Sequence, residues 1–351
     1  MIASMDISRE SIFISALRGF VKSFAVVLGI ALGICLIVIG IGLTSDTVSL
    51  PDKSQITVSA DANWNRKLLP SKAPVILRID IHGVIGTNKL KEKHFKDLLL
   101  DSREGVLADN RVKGILLHVN TPGGTATDSS AIYHLLKEYK EKYKLPIYAF
   151  VDGLCASGGM YISCAADQIS STQNSMIGSV GVRIGPTFNF SGAMEKVGIA
   201  SLTLTEGKNK DALNPFRPWK PGEDDAIKAI VASEYEEFVR VVTENRKKLD
   251  KENLINDYGA NVFAAEKAQE LGYIDNGNAS YNQTLAALVN EVGIKEDEKY
   301  QVLAIEPYQS VLKELAENKT SLLRGKITHV FPTGAYTTSE MSGQMLYLYQ
   351  P

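Results

Sequence analysis

Residues 24 to 43 read FAVVLGIALGICLIVIGIGL, twenty consecutive positions without a charge. As an α-helix that run is about 30 Å long, the thickness of a bilayer's hydrocarbon core. A helix apolar on every face has no side to offer water, so it does not fit the surface of a soluble domain. It is also longer than the roughly 7–15 residues of a secretory signal's apolar region, and it reads as an uncleaved anchor. Arg9, Arg18 and Lys22 precede it, while Asp46, Asp52 and Lys53 follow. The positive-inside rule then puts residues 1–23 in the cytoplasm and the chain beyond about residue 45 on the other side. Gly29 and Gly33 have the small-xxx-small spacing of paired membrane helices, which the ordinary abundance of glycine in such helices explains equally well.

The other residues have the composition of a folded protein. Of 351 residues, 44% are hydrophobic and 22% charged, too apolar for a disordered chain. Lys and Arg number 38 against 40 Asp and Glu, a net charge of −2 that excludes nucleic-acid binding by global positive charge. Three cysteines, Cys35, Cys155 and Cys164, are too few for a disulfide scaffold, and with Cys35 in the apolar run only Cys155 and Cys164 could pair. No Cys/His spacing suggests zinc, and neither a metal nor a cofactor is expected.

From residue 74 the hydrophobic pattern alternates between the periods of strand and helix. Strands are expected at 74–81, 112–119, 146–151, 169–171, 177–184 and 201–205, and helices at 91–108 and 128–143, with a short one from Ser157. This is the pattern of an α/β domain with parallel strands. Helices follow at 222–249, 262–271, 282–292 and 308–318, with a strand at 301–305. Residues 44–73 read as a linker with a short strand at 55–59, residues 74–325 as the folded domain, and 326–351 as an extended tail.

Two glycine loops lie where strands give way to helices. One is Thr121-Pro122-Gly123-Gly124, and the other is Ala156-Ser157-Gly158-Gly159-Met160. In open α/β sheets ligands gather at such strand ends. A serine at a sharp strand-to-helix turn can present its hydroxyl beside free backbone N–H groups, although a serine there is also an ordinary helix cap. A nucleophilic serine needs a base. His82, His94, His118 and His134 precede Ser157, His329 lies in the tail, and nothing marks any of them as a triad member. A lysine is the alternative, provided burial or nearby positive charge makes it neutral. Lys208 and Lys210, in Gly207-Lys208-Asn209-Lys210-Asp211, are the candidates.

Five segments, in order, resemble the signal peptide peptidase A family of membrane-anchored serine peptidases, which includes the SohB proteins. They are the two glycine loops, Gly178-Ser179-Val180-Gly181-Val182, the lysine loop followed by Asn214-Pro215-Phe216-Arg217, and Val262 to Asp275. Thr121 stands where the family has Ser, Met160 where it has Tyr, and Ala264-Ala265 where it has Thr-Gly. The resemblance implies a Clp protease/crotonase-like βαβ spiral with Ser157 as nucleophile, Lys210 as general base and Ser179 orienting the lysine amine. The oxyanion would be held by the N–H of Gly158 with that of Gly123 or Gly124, preferably Gly124. The family also implies a homo-oligomeric ring in which the lysine can come from a neighbour. Its location is the bacterial inner membrane with the catalytic domain outside, and its substrates are signal-peptide remnants or damaged membrane proteins with small or apolar side chains. Two rival expectations are a catalytically inactive membrane scaffold and a crotonase-type acyl-CoA enzyme, which would need neither Ser157 nor Lys210.

Overall fold

The computed structural model describes residues 12–44, 55–70, 72–87, 90–295, 297–306 and 346–349. The chain divides into two units, residues 1–53 and 54–351. The first contains helix α1, Ile12–Thr44. Within it Ala16–Ile34 is long and apolar enough to cross a membrane, and none of that window is buried.

The second unit is built on strand β1 (Gln55–Ser59), β2 (Val75–His82), helix α2 (Glu92–Asp101), β3 (Val112–Thr121), the short β4 (Gly123–Thr125), α3 (Ala126–Tyr143), β5 (Ile147–Ala156), α4 (Gly158–Ser163), β6 (Gln168–Ser171) and β7 (Met176–Gly178). There follow α5 (Ser191–Lys196), α6 (Asp225–Asn245), α7 (Lys251–Asn253), β8 (Val262–Ala264), α8 (Ala265–Leu271), α9 (Tyr281–Glu291), β9 (Gln301–Glu306) and β10 (Leu346–Leu348). One eight-stranded sheet runs β1-β9-β2-β3-β5-β7-β8, with β6 also paired to β5. Its centre is parallel, β2 with β3 and β3 with β5. These strands are nearly continuous runs of apolar residues because both faces are covered. Val75, Leu77, Ile115, Leu117 and Ile147 enter the larger core, and Ile76, Leu116 and Phe150 pack with Leu285 and Leu288 of α9 on the other face. A second, two-stranded sheet pairs β10 with β4 antiparallel.

The α/β architecture with a parallel sheet centre agrees with the sequence pattern, and several element boundaries differ for local reasons. Gln55–Ser59 is more than a piece of linker, since it forms the outer strand of the sheet against β9. The strand expected at 177–184 stops at Gly178, because Ser179 takes φ 56°, outside the extended region. Residues 201–205 form no strand: all are exposed and none pairs into either sheet. The helix expected over 91–108 breaks after Asp101, and beyond Glu104 only a single 3₁₀ turn follows, Gly105–Leu107, opening on Gly105 at φ 53°. Residues 262–264 pair with β7 before the helix begins. Helix α6 is shorter than 222–249, starting at Asp225 after Gly222 turns at φ 79° and ending at Asn245. The expected helix at 308–318 and most of the tail lie outside the described residues.

Candidate active site

Strand β5 delivers Ser157 to the end of the sheet. The serine has φ 56° and ψ −116°, a conformation that costs a non-glycine residue about 1–3 kcal/mol. The surrounding bonds hold it there: its N–H donates to Gly178 O at 2.9 Å, and its carbonyl accepts from Tyr161 N at 3.0 Å. Its side chain makes no capping bond to α4, so the hydroxyl is not spent as a helix cap. Ala156 pairs with Gly178 across β5 and β7. That register brings Ser179 alongside Ser157. Ser179 is also buried at positive φ, with its N–H donating to Asn261 O at 2.7 Å. The two sequence-selected serines are therefore neighbours in the fold.

The first glycine loop forms the facing wall. Gly123 turns at φ 95° and its N–H donates to the Thr121 hydroxyl at 3.0 Å. Thr121 in turn donates to Gly83 O, so the threonine that departs from the expected loop ties that loop to the turn after β2. A Cβ on Gly123 would stand 2.7 Å from Gly158 N, which places the two glycine loops in contact. With the Gly123 N–H taken, Gly124 is the residue of this loop whose amide faces outward.

The groove between the loops holds the chain's own C-terminal strand. Tyr347 pairs with Gly124 and Leu348 with Gly123, and Tyr349 N–H donates to Pro122 O at 2.7 Å. Bonded pairs recur every second residue in an antiparallel ladder, so Tyr347 and Gly124 face each other through N–H and C=O. The Tyr347 carbonyl oxygen also lies where a Cβ on Gly123 would collide with it, and 3.2 Å from where a Cβ on Gly158 would stand. A peptide carbonyl thus sits beside Gly123, Gly124 and Gly158, at the turn carrying Ser157. The Tyr347 side chain is fully buried, with ring centroids 5.3 Å from Tyr161 and 4.6 Å from Phe238. Burial pushes the Tyr161 hydroxyl up to about 12. Burial, then the nearby Glu234 charge, carries the Tyr347 hydroxyl higher still.

Lys210 is not part of this assembly within one chain. It lies on an exposed turn, with its N–H bonded to Gly207 O at 3.2 Å, and among the described residues no hydrogen bond joins its amine to Ser157 or Ser179. The turn itself is braced. Arg217 Nε lies 2.6 Å from Asp211 Oδ2, Arg217 Nη1 lies 2.6 Å from Glu223 Oε1, and the guanidinium also donates to the Asp211 carbonyl. Arg217 and Asn214 hold the Asp211 carboxyl below the ordinary carboxylate range. The segment around Lys210 carries exposed apolar side chains, among them Phe188, Val197, Ile199, Leu202, Leu204 and Phe216. Beside it a groove of about 680 Å³ opens between Val180, Val182, Leu213 and the α6 residues Ile227 and Val231.

Cys155 and Cys164 are free and buried, and burial pushes both thiols up to about 12. Asp80, His82 and His118 bring ligand-type atoms within 4.8 Å of one another. Arg78 already supplies the cation there, 2.7 Å from Asp80 Oδ1 and 2.8 Å from His118 Nδ1. Sequence reasoning missed the aromatic pocket and its occupant. The alternation Leu346-Tyr347-Leu348-Tyr349 was the available signal, a strand pattern inside a tail read only as extended.

Comparison with known proteins places the chain among peptidases. The pattern of Peptidase family S49 matches residues 139–295, and that of Clp protease matches residues 87–178. A Synechocystis protein named provisionally as a protease is 30% identical over 253 residues, covering 69% of this chain and 87% of that one. A Methanocaldococcus jannaschii protein, also named provisionally as a protease, is 32% identical over 215 residues, 61% of this chain and 62% of the relative. An Enterococcus faecium protein named provisionally as signal peptide peptidase SppA is 33% identical over 205 residues, 57% of this chain and 59% of the relative. The match thus spans about three fifths of the length of the last two.

Proposed function

The chain belongs to peptidase family S49, and from that membership we propose that it is a membrane-anchored serine endopeptidase working through a Ser157–Lys210 dyad. The observation that carries the proposal is β10, a peptide strand laid along β4 with its Tyr347 carbonyl beside the amides of Gly124 and Gly158. An extended substrate would bind the same way, by adding a strand to an exposed edge.

Ser157 Oγ attacks the substrate carbonyl while the neutral Lys210 amine takes its proton. Charge developing on the carbonyl oxygen is met by the N–H groups of Gly124 and Gly158. The lysine then protonates the departing amine, and water hydrolyses the acyl-enzyme by the same proton route. Ser179, beside Ser157, orients the lysine amine. Because Lys210 is exposed and apart from Ser157 in the single chain, the dyad is completed by a neighbouring protomer in a homo-oligomeric ring. The exposed apolar residues flanking Lys210 supply the contact surface. Burial in that contact would also remove the amine from water, as a lysine base requires.

Helix α1 is the anchor, and the charges flanking it direct the N-terminus to the cytoplasm and the peptidase unit to the outer side of a bacterial inner membrane. Substrates are extended apolar segments such as residual signal peptides or damaged membrane proteins. A fluorophosphonate probe on the detergent-solubilised protein tests the chemistry. Labelling of the wild type, absent from Ser157→Ala and Lys210→Ala, is the expected result. An unlabelled, well-folded oligomer would instead indicate an inactive scaffold.

A further inference from the structure

The pocket holding Tyr347 contains more than apolar wall. Tyr161 and Phe238 flank the ring, and beyond it the Tyr347 hydroxyl lies 3.1 Å from Glu234 Oε2 and 3.2 Å from Glu234 O. Both partners are acceptors, so the phenol donates. Tyr347 is 0% exposed, which leaves its hydroxyl no water as an alternative partner. Glu234 and Phe238 are four residues apart on α6 and so share a helix face, one supplying polarity and the other the ring contact.

We infer that Glu234 is a specificity residue that reads a phenolic hydroxyl, so that the residue contributing the scissile carbonyl is preferentially tyrosine. This rests on reading the groove as the substrate site of a peptidase. It departs from the small or apolar side chains that the family resemblance implies. A phenylalanine would fill the aromatic walls but turn a C–H edge to the half-buried carboxylate, which loses its donor. A small side chain would leave the space between Tyr161 and Phe238 empty. A lysine could reach the carboxylate with its ammonium, but it would give up ring stacking with Tyr161.

The test uses the full-length protein in detergent and aminocoumarin peptides identical except for tyrosine, phenylalanine or lysine before the cleaved bond. The tyrosine peptide should exceed the phenylalanine peptide about tenfold in kcat/KM. That ratio should fall towards one in Glu234→Leu and stay partly intact in Glu234→Gln, whose amide oxygen still accepts. A ratio cancels any loss of folded enzyme. An equal ratio in wild type and Glu234→Leu, or a preference for lysine, would overturn the inference. Absence of all turnover would count against the peptidase reading itself, and a second measurement then decides this one. In a Ser157→Ala background, Tyr347→Phe and Glu234→Leu should each speed amide exchange at 347–349 about tenfold, with no further gain when combined. Unchanged exchange in both variants would refute the contact.

Discussion

Substituting Gly124 with alanine separates the requirements of the fold from those of the chemistry. A Cβ on Gly124 would overlap the Ile85 carbonyl oxygen and come within 2.6 Å of the Ile85 N and C atoms. These are backbone atoms, fixed on both sides by Ile85 N–H to Gly123 O at 2.9 Å and Thr125 N–H to Ile85 O at 3.1 Å, so they cannot swing aside. The loop must move as a whole. Overpacking of this kind costs about 1–3 kcal/mol. For a unit of this size that is roughly 2–12 °C in Tm. The catalytic loss should be larger than the stability loss suggests, because displacing an oxyanion donor costs about a hundredfold or more in kcat. Gly114→Ala is the control. Its Cβ would meet side chains rather than backbone, Leu288 Cδ1 at 3.1 Å, Val292 Cγ1 at 3.2 Å and Leu288 Cγ at 3.4 Å, so kcat should stay close to wild type and Tm should fall less than in Gly124→Ala. Melting curves and peptide turnover measured well below Tm distinguish the two effects. A Gly124→Ala protein with wild-type kcat would refute the donor role, and one with wild-type Tm would refute the close approach to Ile85.

Four further outcomes follow from the same structure. Mixing Ser157→Ala and Lys210→Ala subunits should restore about a quarter of wild-type turnover if the dyad spans an interface, since half the interfaces offer a serine and half of those a lysine; a dyad within one chain predicts none. Arg217→Ala should lower kcat about tenfold or more by loosening the turn that carries Lys210, with a smaller effect on Tm because the pairs are part-exposed and brace a local turn rather than the core. The Asp211 carboxyl is held below its ordinary range by Arg217, so its bracing is complete above the unfolded-state value and lost only as pH falls through the lower folded value; turnover at pH 5 should therefore still fall on Arg217→Ala. Buried thiols pushed up to about 12 have almost no thiolate at pH 8, so iodoacetamide should modify Cys155 and Cys164 only after denaturation; modification in the native state would refute their burial.

What the sequence made legible depends on where the information sits. The central strands could be placed because burial on both faces writes itself as an apolar run, as in Val112–Thr121. The two glycine loops could be selected because a close backbone approach excludes side chains, and Gly123 and Gly158 do lie against each other. Strand ends were less legible because a single dihedral decides them: nothing in the apolar pattern of 177–184 announces that Ser179 turns to φ 56°. The strand thus ends at the residue that its register with β5 sets beside Ser157, so the strand end and the site coincide.

Long-range encounters left still less trace in the sequence. Tyr347 meets Glu234 across 113 positions, and no local rule relates a tail residue to the middle of α6. The pairing of β10 with β4 depends instead on an unpaired strand edge left open where the first glycine loop turns. An open edge beside a strained serine invites any extended segment of suitable length. The first such segment available is the chain's own, so under the proposed function a substrate peptide would compete with a strand present at high effective concentration. On that reading a side-chain contact such as Glu234 with a phenol would govern both which peptides enter and how firmly the tail stays.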